Sequence, residues 1–215
     1  MPKAVTAASS RARSVAFCGI SVALLAVSAW ITVPIGPVPV TLQTFAEMLV
    51  LIALKPREAV SAIAIYLLAG AIGLPFFSGM KGGIGVIMGP TGGFLWGFLV
   101  AGIVFVVLRS LVNKKQRIAV DYVLAFVFLA IVYALGWFQL MAVNGLSAEA
   151  AFAVGVAPFI VPDAVKIAAA VPVAQAVARS DRELVGPAAQ LRARYADDEV
   201  RAHATHRTRS PSPPG

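Results

Sequence analysis

"PFIVPDAVKIAAAVPVAQAVA" occupies residues 158–178. It is apolar enough to cross a bilayer, which takes about 20 helical residues. Yet Asp163 and Lys166 stand near its start. An ionisable side chain inside a membrane is costly unless partnered, so each is a candidate for function. At i and i+3 they share one helix face. They can form a structural ion pair, with Lys166 reaching toward an interface. Alternatively they line a binding site that offers one acceptor and one donor to a polar solute. Pro158 and Pro162 mark the first turn of a helix, which puts the pair near the outer end of this segment.

The rest of the chain has the same character. Of its 215 residues 59% are hydrophobic and 13% charged, against roughly 25% charged in a soluble domain. Six apolar segments are expected as transmembrane helices: Ser14–Ile31, Leu42–Leu54, Ala59–Leu74, Gly92–Ser110, Ile118–Val143 and Ala157–Ala178. The second and third are short for a full span. The fold class is therefore an all-α, polytopic membrane protein with six transmembrane helices, ordered outer loops and a disordered C-terminal tail. Residues 1–13 form a cytoplasmic N-terminus, 14–180 the membrane domain and 181–215 a cytoplasmic tail. Arg11 and Arg13 before an apolar run resemble the start of a signal peptide, but the blocks that follow favour a retained helix.

The net charge of +8 does not point to nucleic acid, because no basic, aromatic-bearing surface accompanies it. With both termini cytoplasmic, every Lys and Arg except Lys81 and Lys166 falls on the cytoplasmic side, as the positive-inside rule requires. The expected location is the cell membrane.

Two outer stretches are unusual. "TVPIGPVPVTLQT" (32–44) has three prolines in six residues, so it is extended rather than helical. "GLPFFSGMKGGIGVIMGPTGG" (73–93) has eight glycines in 21 residues, which permit tight turns or close approach to a ligand. Both carry apolar side chains, unlike flexible linkers. They are expected to pack over the bundle as an ordered lid.

Several chemistries are missing. No Gly-rich phosphate loop ends in Gly-Lys-Ser/Thr, so ATP hydrolysis by this chain is not expected. His203 and His206 lie in the polar tail, and no metal site is expected. Some helix is expected around Arg182–Glu199, and the last fifteen residues read as disordered. Cys18 reads as a small buried residue. Arg109 and Asp121 read as solvated helix-end groups. Glu47 is a second intramembrane carboxylate without an assigned role. Gly19 with Ala23, and Ala12 with Ala16, form small-xxx-small pairs that permit close helix approach.

"VPVTLQTF" (38–45), "YLLAGAIGLPFF" (66–77), "GGIGVIMGPTGGFLWGF" (82–98) and "PDAVK" (162–166) together resemble the BioY family. These are the biotin-binding S components of energy-coupling factor (ECF) vitamin transporters. The resemblance covers about residues 14–180. It implies a six-helix bundle that takes biotin near its outer side, under the two unusual loops. Asp163 and Lys166 match polar ligand-contacting positions, and Thr91 joins them as a candidate. Gly82, Gly83 and Gly85 would let the backbone approach the ligand. Phe94 would supply an apolar face where the family commonly has Tyr. Gly19 and Ala23 fall on the family's Ala-xxx-Ala motif and would dock a coupling transmembrane subunit that carries two ATPases. Biotin is the transported ligand, and no cofactor is implied. Other departures are "LKP" (54–56), in place of the family's Leu-Gly-Pro, and Glu47, in place of an apolar residue. The competing readings are an S component for another small vitamin, a multi-pass enzyme using Asp163 and Lys166 as an acid–base pair, and a structural subunit without a ligand.

Overall fold

The computed structural model describes residues 2–34, 36, 38–112 and 117–180, with residues 2–11 and 117 as backbone only. The tail, with its expected 182–199 helix, His203 and His206, lies outside the described residues, as do Lys114 and Lys115.

The chain is mostly helical. The order is α1 (Pro2–Trp30), a two-stranded hairpin of β1 (Thr32–Val33) and β2 (Val40–Thr41), α2 (Gln43–Ala53), α3 (Pro56–Ala71), α4 (Ile84–Met88), α5 (Gly92–Leu111), α6 (Arg117–Asn144) and α7 (Ala148–Gly155). A last helix, α8, covers 160–180. Each of the six expected segments holds a helix. Among the described residues four stretches are long and apolar enough to cross a membrane: Ala12–Trp30, Gly92–Leu111, Ile118–Asn144 and Ala148–Ser180. α2 and α3 are shorter, with 11 and 16 residues. α1 runs on to Pro2 instead of starting near Ser14. The short helix α7 was not expected from the hydropathy; Ser147 caps its N-terminus by accepting from the Ala150 N–H.

The break between α2 and α3 is local chemistry. A residue before proline is pushed out of the helical region, and Lys55 is extended at φ −69°, ψ 148°. Pro56 then opens α3, where its missing N–H is harmless. The Glu58 carboxylate accepts from the Lys55 N–H at 3.4 Å and from the Ser14 hydroxyl at 2.6 Å. α3 ends at Ala71, and just beyond it Gly73 has a φ of +112°, a left-handed conformation that L side chains rarely adopt.

Packing follows an inside-out pattern. On α5, Ala101 and Phe105 are buried, while Val100, Ile103, Val107 and Leu111 face outward. A helix of a soluble protein would present polar residues there; here lipid replaces water as the outer medium. α5 and α6 pack along most of their length. Glycines make this possible: a Cβ on Gly93 would strike the Leu135 carbonyl, and one on Gly97 would strike the Val132 backbone. Pro172 stands inside α8 and cannot donate to the Ala168 carbonyl. The Tyr122 hydroxyl takes its place, donating to that carbonyl at 3.2 Å.

The expectation of solvated helix ends fails at Arg109 and Asp121. Asp121 is fully buried. It accepts from Arg109 Nε at 2.7 Å and Nη2 at 2.9 Å, and from Gln175 Nε2 at 2.9 Å. Arg109 Nη1 also donates to the Ile52 carbonyl at 2.9 Å, one of the carbonyls α2 leaves open at its C-terminus. One guanidinium thus ties together the ends of α2, α5, α6 and, through Gln175, α8. Cys18 is half-buried rather than enclosed.

Candidate functional site

At the other end of the bundle the two unusual loops meet the starts of α5 and α8. The first loop folds as the β1–β2 hairpin, in the register Thr32↔Thr41 and Val33↔Val40. The second makes a tight turn, closed by a backbone bridge between Phe77 and Lys81. The Phe77 ring is buried edge-on against Tyr66, with centroids 5.6 Å apart. It occupies the space that a Cβ on Gly70 would need. Trp30 Nε1 donates to the Pro75 carbonyl at 2.7 Å, and the Thr32 and Ser78 hydroxyls share a hydrogen bond of 3.2 Å. Gln43 Nε2 donates to the Tyr66 hydroxyl at 2.9 Å, which donates to the Phe76 carbonyl at 3.2 Å. The described residues of both loops are thus tied to side chains of α1, α2 and α3.

Beneath them is a cavity of roughly 160 Å³. An apolar cavity of about that size holds a benzene ring. Its wall is apolar where Phe77, Phe94, Phe98, Val132 and Phe159 meet, and polar at its base. Asp163 organises the base. Its Oδ1 accepts from Lys166 Nζ at 2.7 Å and from Thr44 Oγ1 at 3.1 Å; its Oδ2 accepts from Tyr133 Oη at 2.6 Å. Three helices, α2, α6 and α8, thus converge on one carboxylate. The side chains of Asp163 and Lys166 are 7% and 14% exposed, so the pair is enclosed rather than reaching into lipid. A carboxylate can accept about four hydrogen bonds and an ammonium can donate three. The pair therefore keeps one acceptor site on Asp163 and two donors on Lys166 for a guest.

Four of the expected site residues line this cavity: Asp163, Lys166, Thr91 and Phe94. Gly136 makes room for the Phe94 ring, since a Cβ there would collide with it. Gly82, Gly83 and Gly85 are not part of the cavity wall. Gly82 and Gly83 shape the loop instead, while Gly85 lies in α4 with open space where a Cβ would stand. A Cβ on Gly82 would strike the carbonyls of Gly73 and Leu74, and Gly83 has φ +98° and donates to the Gly70 carbonyl at 2.7 Å. Gly19 and Ala23 lie far from the cavity in sequence and on no part of its wall; both are exposed on α1, with open space above Gly19.

Sequence reasoning missed Thr44, Tyr133 and Lys81 as wall residues. Thr44 stood inside a quoted motif without a role. Tyr133 offered only its type: a tyrosine within an apolar helix usually finds a partner for its hydroxyl. Glu47, one turn past Gln43 and Thr44, is fully buried, and neither of its oxygens meets a hydrogen-bond partner among the described residues. Among those residues no group of His, Cys, Asp and Glu could hold a metal ion.

Comparison with known proteins agrees with this architecture. The family model described as the BioY family matches residues 1–183. A probable biotin transporter BioY of Pyrococcus horikoshii is 40% identical over 165 residues, covering 77% of this chain and 96% of the relative. The biotin transporter BioY of Thermotoga maritima is 41% identical over 153 residues, covering 71% and 88%. Among solved structures, the S-component for biotin from an ECF-type ABC transporter has the same fold. The TM-score is 0.74 at 21% identity, covering 80% of this chain and 93% of that one. These relatives are transporters, and the chain stands with them as a multi-pass membrane protein rather than with membrane enzymes. From its family-model match and its relatives, this chain is a member of the BioY family.

Proposed function

We propose that this chain is the biotin-binding S component of an ECF-type uptake transporter. The observation that carries the reading is the enclosed base of the cavity, where Asp163, Lys166, Thr44 and Tyr133 meet under apolar walls. Biotin's ureido ring has two N–H donors and one carbonyl, on an apolar bicycle. The open acceptor site of Asp163 suits an N–H, and the spare donors of Lys166 suit the carbonyl. Phe94 and Phe98 suit the bicycle.

In the finer reading, biotin enters from outside, the two loops act as a lid, and the subunit releases biotin inward. Both termini are then cytoplasmic and the cavity faces outward. The exposed α1 face at Gly19 and Ala23 docks a coupling transmembrane subunit, and two ATPases on partner chains supply the energy. Titration of the purified chain with radiolabelled biotin tests the first step. One biotin per chain is expected, with affinity reduced about 10- to 100-fold by Asp163→Asn, the range for a hydrogen bond to a charged group. Absence of binding refutes the proposal, and stronger binding of a different small vitamin would reassign the substrate.

A further inference from the structure

We infer that Gln139 is a positioning residue for ligand capture: from behind the cavity wall it latches the roof segment 84–91, and so sets how long the ligand stays rather than what the ligand touches. The inference rests on the proposed function above and adds a residue that the wall itself does not contain.

Gln139 belongs to α6 and is half-buried. Its Nε2 donates to the Ile87 carbonyl at 2.9 Å and to the Gly89 carbonyl at 2.7 Å. A primary amide has two N–H donors, and both are spent on one short stretch of backbone. Turned over, the amide would set its oxygen against two carbonyl oxygens, so only one orientation fits. The two carbonyls lie where α4 stops. The last carbonyls of a helix have no partner within it, and Pro90, just beyond, has no N–H to give. The Gly89 carbonyl also accepts from the Gly92 N–H at 3.0 Å. For the Ile87 carbonyl the donor comes across from α6.

Two glycines clear the way for that reach. A Cβ on Gly92 would come within 2.6 Å of Gln139 Nε2, and one on Gly93 within 2.8 Å of Gln139 Cβ. The latched carbonyls stand between Val86 and Thr91, which both line the cavity. The far end of the segment is tied through backbone, where the Gly83 N–H donates to the Gly70 carbonyl at 2.7 Å. Within α4 only Ile87 is buried, while Ile84 and Met88 are exposed. The segment is thus a panel with little core contact, fixed to α3 by main chain at one end and to α6 by one side chain at the other. Parts of a fold with few buried contacts open most readily. The Gln139 end is the one that a single rotamer change sets free.

The test uses the full-length purified chain as wild type, Gln139→Leu and Gln139→Glu. Leucine is close in volume and donates nothing; glutamate keeps the shape but turns oxygen toward both carbonyls. Radiolabelled biotin chased with unlabelled biotin gives the dissociation rate, and hydrogen–deuterium exchange of the ligand-free chain reports on the roof. Gln139→Leu is expected to release biotin about 10-fold faster, the scale of two lost neutral hydrogen bonds, and Gln139→Glu at least as fast. Amides in 84–92 should exchange faster in both variants, while those in the middle of α5 and α6 keep the wild-type rate. Release less than twofold faster in both variants would overturn the latch. So would exchange that rises equally through α5 and α6, since it marks a residue that only supports the bundle. Either result leaves the biotin reading standing. That reading falls if the wild type binds no biotin, and the role of Gln139 in capture falls with it.

Discussion

Arg109 grips Asp121 through two parallel hydrogen bonds, Nε to Oδ1 at 2.7 Å and Nη2 to Oδ2 at 2.9 Å. This fork-on-fork geometry is the strongest form of such a pair, and the Asp121 side chain is fully shielded. Removing one partner of a buried pair strands the other charge and costs about 3–5 kcal/mol. Arg109→Ala and Asp121→Ala should each lower the melting temperature in detergent sharply. The double variant should be no worse than the sum of the two. A shift of under a degree in either single variant would show that the pair holds nothing together.

The 2.6 Å bond from Tyr133 to Asp163 is expected to orient the carboxylate for the ligand. Tyr133→Phe removes the donor and keeps the ring. A lost hydrogen bond to a charged group is worth about 1.5–3 kcal/mol, so biotin affinity should fall about 10-fold or more with the fold intact. Equilibrium titration beside a thermal melt separates the two effects. Unchanged affinity would remove Tyr133 from the site.

Glu47 is the reverse case. A buried polar group without a partner costs about 1–3 kcal/mol, and both carboxyl oxygens of Glu47 are in that position among the described residues. Glu47→Leu, close in volume and apolar, should raise the melting temperature by several degrees. If instead the variant melts earlier, the carboxyl makes a favourable interaction in the membrane.

Helix approach at Gly93 leaves no space for a methyl group. Gly93→Ala would push a Cβ onto the Leu135 carbonyl and the Gln139 side chain. Gln139 in turn donates to the Ile87 and Gly89 carbonyls at 2.9 and 2.7 Å, so the strain would pass into the loop that roofs the cavity. Overpacking of this kind costs about 1–3 kcal/mol. Both the melting temperature and biotin affinity should drop. Gly85→Ala, which meets nothing within 4 Å, should change neither, and a loss there as large as at Gly93 would refute the packing argument.

Hydropathy and local spacing determined much of this protein. Apolar blocks settled the membrane class, because the preference for lipid over water adds up along a segment and needs no knowledge of its neighbours. Pro56 placed the α2–α3 break, and Asp163 and Lys166 were put on one face by the helical repeat alone. The motifs in 38–45, 66–77, 82–98 and 162–166 marked the family. Tertiary structure decided which groups meet. Thr44 and Tyr133 reach Asp163 across 119 and 30 residues of chain. Asp121 looked solvated until Arg109 and Gln175 closed over it. Lys81 looked like a stray loop cation until the Phe77 turn set it on the cavity wall. Such meetings depend on how closely and at what angle helices cross. Contacts as fine as those at Gly93 and Gly97 set that angle, and no local window of residues contains it.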